Sequence, residues 1–300
     1  MISISVPATS ANLGPGFDCL GMAIDMHNII EVEEVEEGLH IEVPLSERDM
    51  IPTDESNLIY SSMVTLFNKV GYKVGGLRIR QINNIPIAMG LGSSAACIVG
   101  GIVAANYIAG KPLDLQDMIE LSAALDGHPD NVLPALVGGI TVGCIDNGKV
   151  YYSRLEPPKG ACIALIIPKF ELLTKKSRAV LPKEIPFEDC VFNVGRAALL
   201  IASLLDGNMD NLAIAMEDRM HQPYRQKLIP HFDSVVDMAK KSGAKGVFLS
   251  GAGPVIIAIV EDKDKCAFQR NMNGFLQKLD GSWNLEWTNI NNNGVKIEEI

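Results

Sequence analysis

Pro86-Ile87-Ala88-Met89-Gly90-Leu91-Gly92-Ser93-Ser94-Ala95-Ala96 is the stretch on which the rest of this chain turns. It opens with proline, turns on two glycines and offers two hydroxyls. It then enters an apolar, Ala-rich run that reaches Ile108. Glycines let backbone N–H groups approach an anion with no Cβ in the way. A helix start aims its free N–H groups and positive dipole end at the same place. The segment therefore reads as a phosphate cradle, and Ser93 and Ser94 read equally well as N-caps. A P-loop is excluded, because it needs a lysine beside the phosphates. Here Ala95-Ala96-Cys97 follow the serines and the next lysine is Lys111. A dinucleotide fingerprint fits poorly. It needs a strand running straight into the first glycine and a second strand ending in an acid.

Composition sets the frame. The 300 residues are 47% hydrophobic, enough for a sizeable core and about two domains. The formal net charge is −10 with no basic tract, which argues against nucleic acid as a partner. Any anionic substrate then needs a local basic pocket. Six scattered cysteines without a C-x-x-C pair read as reduced thiols in a cytoplasmic protein. The alternating Met1-Ile2-Ser3-Ile4-Ser5-Val6 is a strand and not a signal peptide. The longest apolar runs are broken well short of a membrane span, so no membrane partner is expected.

Along the chain, Pro7 to Asp18 is a Gly-Pro-Gly loop with Asn12 and Asp18 at its polar ends. It reads either as a turn satisfied by its own backbone or as a ligand loop. Residues 21–43 are β, with glutamates on a solvated face. Ser56–Lys69 is a helix and Leu77–Ile82 a strand that delivers the glycine loop. Asp114 and Asp117 form a capping box for a helix over Leu115–Leu125. Glu120 lies off that helix's apolar stripe. Asp126 to Asn131 reads as a polar loop. Pro157–Gly160 is the join between two halves, 1–155 and 156–300. Ala161–Ile167 is a strand buried on both faces. Helices are expected over 191–205, 212–220, 232–241 and 264–279. Strands are expected around 247–249, 255–260, 285–290 and 295–297, with Ser250-Gly251-Ala252-Gly253-Pro254 as a turn.

Four of these segments, in order, resemble the GHMP kinase superfamily: Pro7 to Asp18, Gly90 to Ala96, Gly127-His128-Pro129-Asp130-Asn131 and Ser250 to Pro254. The first and third resemble its homoserine kinase family in particular. The resemblance implies an α+β fold of two domains. The N-terminal one would resemble ribosomal protein S5 domain 2, and the C-terminal one a ferredoxin. It also implies ATP and Mg²⁺ as cofactors, L-homoserine as substrate and a homodimer.

Residue roles follow from the same resemblance. Pro86, Ile87, Ala88, Met89, Gly90, Leu91, Gly92, Ser93, Ser94, Ala95 and Ala96 would cradle the ATP phosphates. Ser94 and Glu120 would hold Mg²⁺. Asn12, Asp18, His128, Asn131, Thr174, Arg178 and Arg225 would bind the amino acid. Asp18 would take its ammonium, and the two arginines would fork its carboxylate. Asn131, Asp130 and Glu120 are the catalytic candidates. Asparagine at 131, where sister kinases carry aspartate, implies that positioning and charge neutralisation dominate over a strong base.

Two departures from the family pattern stand out. Asp126 replaces the usual glutamate, and Met89 a common arginine. The competing readings are a kinase for mevalonate, shikimate or a sugar, and a non-catalytic ligand sensor of the same fold.

Overall fold

Alternating Ile2, Ile4 and Val6 build β1 (Ile2–Ala11), which pairs antiparallel with the long β2 (Leu20–Val35) in the register Ile4↔Ile30. The structure, a computed structural model, describes residues 1–279 and 283–300. The β1–β2 register shifts between Pro7 and Ala8, where proline has no N–H to give the ladder. The chain continues through β3 (Gly38–Glu42), α1 (Leu58–Val70), β4 (Gly76–Ile82), α2 (Ser93–Ile108), α3 (Leu115–Asp126), α4 (Pro129–Val137), β5 (Ile140–Asp146) and β6 (Lys149–Leu155). β2 changes neighbour along its length. Its residues Leu20–Met22 pair with β5, and Ile29–Val35 pair with β4. The glutamate face is solvated as expected, with Glu31 and Glu33 paired across the strands to Arg80 and Arg78.

The second half holds β7 (Ala161–Pro168), α5 (Thr174–Ala179), α6 (Phe187–Asp206), α7 (Leu212–Ala215), α8 (Gln222–Arg225), α9 (Phe232–Lys241), β8 (Gly246–Leu249), β9 (Ile256–Glu261), α10 (Lys265–Leu276), β10 (Trp283–Thr288) and β11 (Lys296–Glu299). Its antiparallel sheet runs β10-β7-β9-β8. β7 is buried on both faces for a visible reason. Ile163 and Leu165 join the large core shared with the first sheet, while Cys162, Ala164 and Ile166 join a second core under α9 and α10.

The sheets divide near residue 155, between β6 and β7, but the tail leaves the second sheet. β11 pairs with β1, and Ile300 N donates to Met1 O. Two local readings change. The helix expected over 212–220 stops at Ala215, because the Asp218 carboxylate accepts from the N–H groups of Met220, His221 and Gln222. Such short side-chain acceptors compete with helical bonding. The polar loop expected at 126–131 is instead a helix start, with His128 as N-cap and Pro129 at the first helical position.

Candidate active site

A cavity of about 420 Å³ lies between the two halves. Its first wall is the glycine loop and the start of α2. Gly90 (φ +78°) and Gly92 (φ +69°) are left-handed, and any Cβ there would strike backbone or side chain. Built at Gly90, it would sit 2.3 Å from Ser250 O; at Gly92, 2.0 Å from Thr9 Oγ1. Four successive loop carbonyls point into the protein. Ala88 O, Met89 O and Leu91 O accept from Leu172, Val255 and Thr9 N–H groups, and Gly90 O accepts from Ser250 Oγ. That leaves a wall rich in N–H groups, completed by the first turn of α2, whose amides have no intrahelical acceptor. Pro86 to Ser94 line the cavity, whereas the side chains of Ala95 and Ala96 turn into the core. α2 is fixed there because it is buried on nearly every side.

The second wall is the β1–β2 loop. Asn12 and Asp18 are left-handed, a conformation that short polar side chains tolerate. Asn12 is a staple: its amide donates to Gly251 O at 3.1 Å, and its oxygen accepts from Asp18 N at 3.1 Å. The third wall is the junction of α3 and α4, with Asp126, His128, Asp130 and Asn131. Thr9 Oγ1 donates to Asn131 Oδ1 at 2.9 Å, which turns the asparagine NH₂ toward Asp130. The fourth is Leu173, Thr174 and Arg178 on and beside α5, with Arg225 at the end of α8 and Gly251-Ala252.

Charge is concentrated where these walls meet. Arg178 Nη2 donates to Asp18 Oδ1 at 2.8 Å, and Nη1 to Oδ2 at 3.4 Å. His128 Nε2 lies 3.3 Å from Asp18 Oδ2, and its Nδ1 lies 3.3 Å from Arg178 Nη2. A guanidinium only donates, so His128 Nδ1 accepts and Nε2 carries the proton. Burial holds its pKa below the ordinary value. Arg225 is buried and donates to Gly251 O at 2.9 Å, while its Nε has no partner. Both guanidiniums face the ring of Phe17, at 5.6 and 5.3 Å. Burial, with repulsion from Asp18, raises the Asp130 carboxyl to about 7; burial raises Asp126 to about 6.

Glu120, expected beside Ser94 as a metal ligand and catalytic candidate, does not line this cavity. It accepts from Gln116 Nε2 at 2.8 Å, and the same nitrogen also holds Val150 O of β6. Six residues before the end of α3, it faces β6 while the helix terminus faces the cavity. Asp126 is the acid of α3 that lines the cavity. The sequence reading noticed Asp126 only as a departure. It gave no role to Phe17, His221 or Asp218, which stand behind the arginines. The local signal for Asp218 and His221 is the His221-Gln222-Pro223 break in an apolar helical pattern, and Phe17 lies inside the Pro7–Asp18 motif.

Two family models match the chain: GHMP kinases N terminal domain over residues 57–139 and GHMP kinases C terminal over residues 200–275. The chain is 47% identical over 297 residues to the homoserine kinase of Petrotoga mobilis, covering 99% of this chain and 96% of that one. It is 48% identical to the homoserine kinase of Caldicellulosiruptor saccharolyticus, covering 100% and 97%. The crystal structure of homoserine kinase from Cytophaga hutchinsonii superposes with a TM-score of 0.87 at 29% identity, covering 99% and 97%. A cavity walled by a glycine loop on one side and by acid, histidine and arginine on the others accords with these likenesses, and the chain belongs to the homoserine kinase family of GHMP kinases.

Proposed function

We propose that this chain transfers the γ-phosphoryl group of ATP to the side-chain hydroxyl of L-homoserine, giving O-phospho-L-homoserine and ADP, a step toward threonine. What carries this reading is one cavity shared by an N–H-rich glycine loop and, on its other walls, a charge set matched to a small zwitterion. Asp18 offers a carboxylate to an ammonium, and Arg178 and Arg225 offer guanidiniums to a carboxylate. Asp18 and Arg178 are each other's partners, and an amino acid presents the opposite charge to both at once. Mevalonate, shikimate and sugars carry no ammonium and would leave Asp18 without that exchange.

Mg²⁺ prefers hard oxygens and keeps phosphate and water ligands. The hydroxyl of Ser94 and the carboxylate of Asp126, both on the cavity wall, fit that chemistry. Among the described residues no group of three or more His, Cys, Asp or Glu side chains is arranged to hold a metal ion, which suits an ion bound largely through phosphates. When bound, the ion would neutralise phosphate charge. The chain's own residues do the rest. Loop amides and the α2 terminus hold the phosphates, Asp18 and the arginines orient the acceptor, and Asn131 meets its hydroxyl. Asp130 lines the cavity beside Asn131, and burial raises its carboxyl to about 7, which makes it our candidate for taking the hydroxyl proton.

Among the described residues no helix is long and apolar enough to cross a membrane, and all six cysteines are free. Both features support a cytoplasmic enzyme. The exposed Phe187, Val191 and Val194 on α6 support a homodimer. ADP release measured with homoserine, mevalonate, shikimate and galactose tests the assignment. Turnover is expected with homoserine, and turnover with another acceptor, or none with any, overturns it.

A further inference from the structure

His221 lies behind the cavity, outside the residues assigned to substrate, and it is fully buried. Its two ring nitrogens reach opposite halves of the molecule. Nε2 is 2.8 Å from Gly14 O, in the β1–β2 loop that carries Asn12 and Asp18. Nδ1 is 3.2 Å from Nη1 of Arg225. A carbonyl only accepts and a guanidinium only donates, so a single tautomer serves both: proton on Nε2, lone pair on Nδ1. A protonated ring would set an N–H against the guanidinium. Asp218 shapes the turn that presents the ring, accepting from the His221 and Gln222 N–H groups at 2.9 and 2.6 Å, and its Oδ2 lies 3.5 Å from Nε2, a second acceptor that favours the proton on that nitrogen. Phe17 packs at 5.3 Å from the imidazole, on the same loop as Gly14. Gly14 packs directly on Met216 of the other half, so closely that a Cβ there would meet Met216 O at 2.3 Å.

We propose that His221 is a positioning residue that sets the spacing between the two clamps of the amino acid, Asp18 on the Gly14 loop and Arg225 on α8. The inference rests on the kinase reading above for the identity of the amino acid. The link itself rests only on geometry. His221 touches neither phosphate nor acceptor, so it acts through the two groups it holds.

Two substitutions divide the ring's work. His221→Asn keeps an acceptor where Nδ1 stands and loses the bond to Gly14. His221→Gln keeps a donor where Nε2 stands and loses the bond to Arg225. Without the imidazole Arg225 keeps only its bond to Gly251 O and loses one of the two contacts that aim it, so His221→Gln should raise KM for homoserine about tenfold with KM for ATP unchanged. His221→Asn should fall between it and the wild type. Equal changes in both KM values, or none in the homoserine KM of either variant, would mean a structural role only and would sink the proposal. The ¹⁵N shifts of the wild-type imidazole, assigned by the resonance lost in His221→Gln, should report the Nε2–H form alone from pH 6 to 8. An Nδ1–H or mixed form overturns the link. Were the wild-type chain inactive on homoserine, the substrate reading would fall while this tautomer measurement still decided the link.

Discussion

Asp18 is held by three nitrogens of two neighbours: two of Arg178 and one of His128. Its left-handed backbone and the bond from its N–H to Asn12 leave the carboxylate one place to point. Asp18→Asn keeps the shape and removes the charge. A hydrogen bond to a charged group is worth about 1.5–3 kcal/mol, so kcat/KM for homoserine should fall roughly ten- to a hundredfold with KM for ATP unmoved. Steady-state kinetics at saturating ATP checks this. Asp130 carries a different consequence. Burial raises its carboxyl to about 7 from 3.8, so the folded state binds more protons than the unfolded chain between those values. Its ionisation therefore opposes folding as pH rises through that window. Asp130→Asn removes the charge. The melting temperature of the variant relative to wild type should improve from pH 5 to pH 8. Its kcat should drop about a hundredfold, as for a lost proton acceptor. A kcat within twofold of wild type would remove Asp130 from the chemistry.

At the scale of elements, the site is made by helix starts. α2 presents its N-terminus because its other sides are packed, and its glycines allow that packing. A Cβ at Gly101 would stand 2.5 Å from Ile59 O of α1, and one at Gly100 would stand 2.2 Å from Ile30 Cδ1 of β2. Backbone cannot yield as a side-chain tip can. Gly101→Ala should destabilise the fold by about 2–3 kcal/mol, read as a lower denaturant midpoint with unchanged slope. KM for ATP should rise as the loop it anchors shifts. α4 is the second start on the cavity, lying on β2 so closely that a Cβ at Gly21 would meet Asp130 O at 1.8 Å. The element brings Asp130 and Asn131 to the wall, and the His128 side chain precedes it.

At the scale of the whole molecule, neither half holds a complete site. The Ser250–Pro254 turn bridges them. Ser250 Oγ bonds to Ser10 Oγ and Gly90 O, and Gly251 N bonds to Ala11 O. The tail ties the halves again from outside. Asn291 N donates to Ala23 O, Asn291 O accepts from Gly139 N, and β11 covers the edge of β1. Deleting residues 289–300 should lower the melting temperature by roughly 5–10 °C and expose an edge prone to association. Differential scanning calorimetry with light scattering reads both. Retained stability would mean the tail is dispensable to the first sheet.

The sequence by itself determined the parts that depend on neighbours in the chain. Gly90 and Gly92 announce a backbone that no other residue fits. Asp114 and Asp117 announce the capping box that forms. The doubly buried β7 is legible in its unbroken apolar run. Asp18 and His128 are legible inside ordered motifs and Arg178 and Arg225 only through the family resemblance, and the fold brings all four to one cavity. Tertiary structure decided what depends on the rotation of a helix about its axis and on distant partners. Glu120 and Asp126 lie on one helix, but only packing against β6 turns the first away and leaves the second at the cavity. His221 meets Gly14 across 207 positions of sequence, a separation over which no local pattern can signal a hydrogen bond. The side-chain bonds of Asp218 likewise outcompete a helix that apolar periodicity alone favoured.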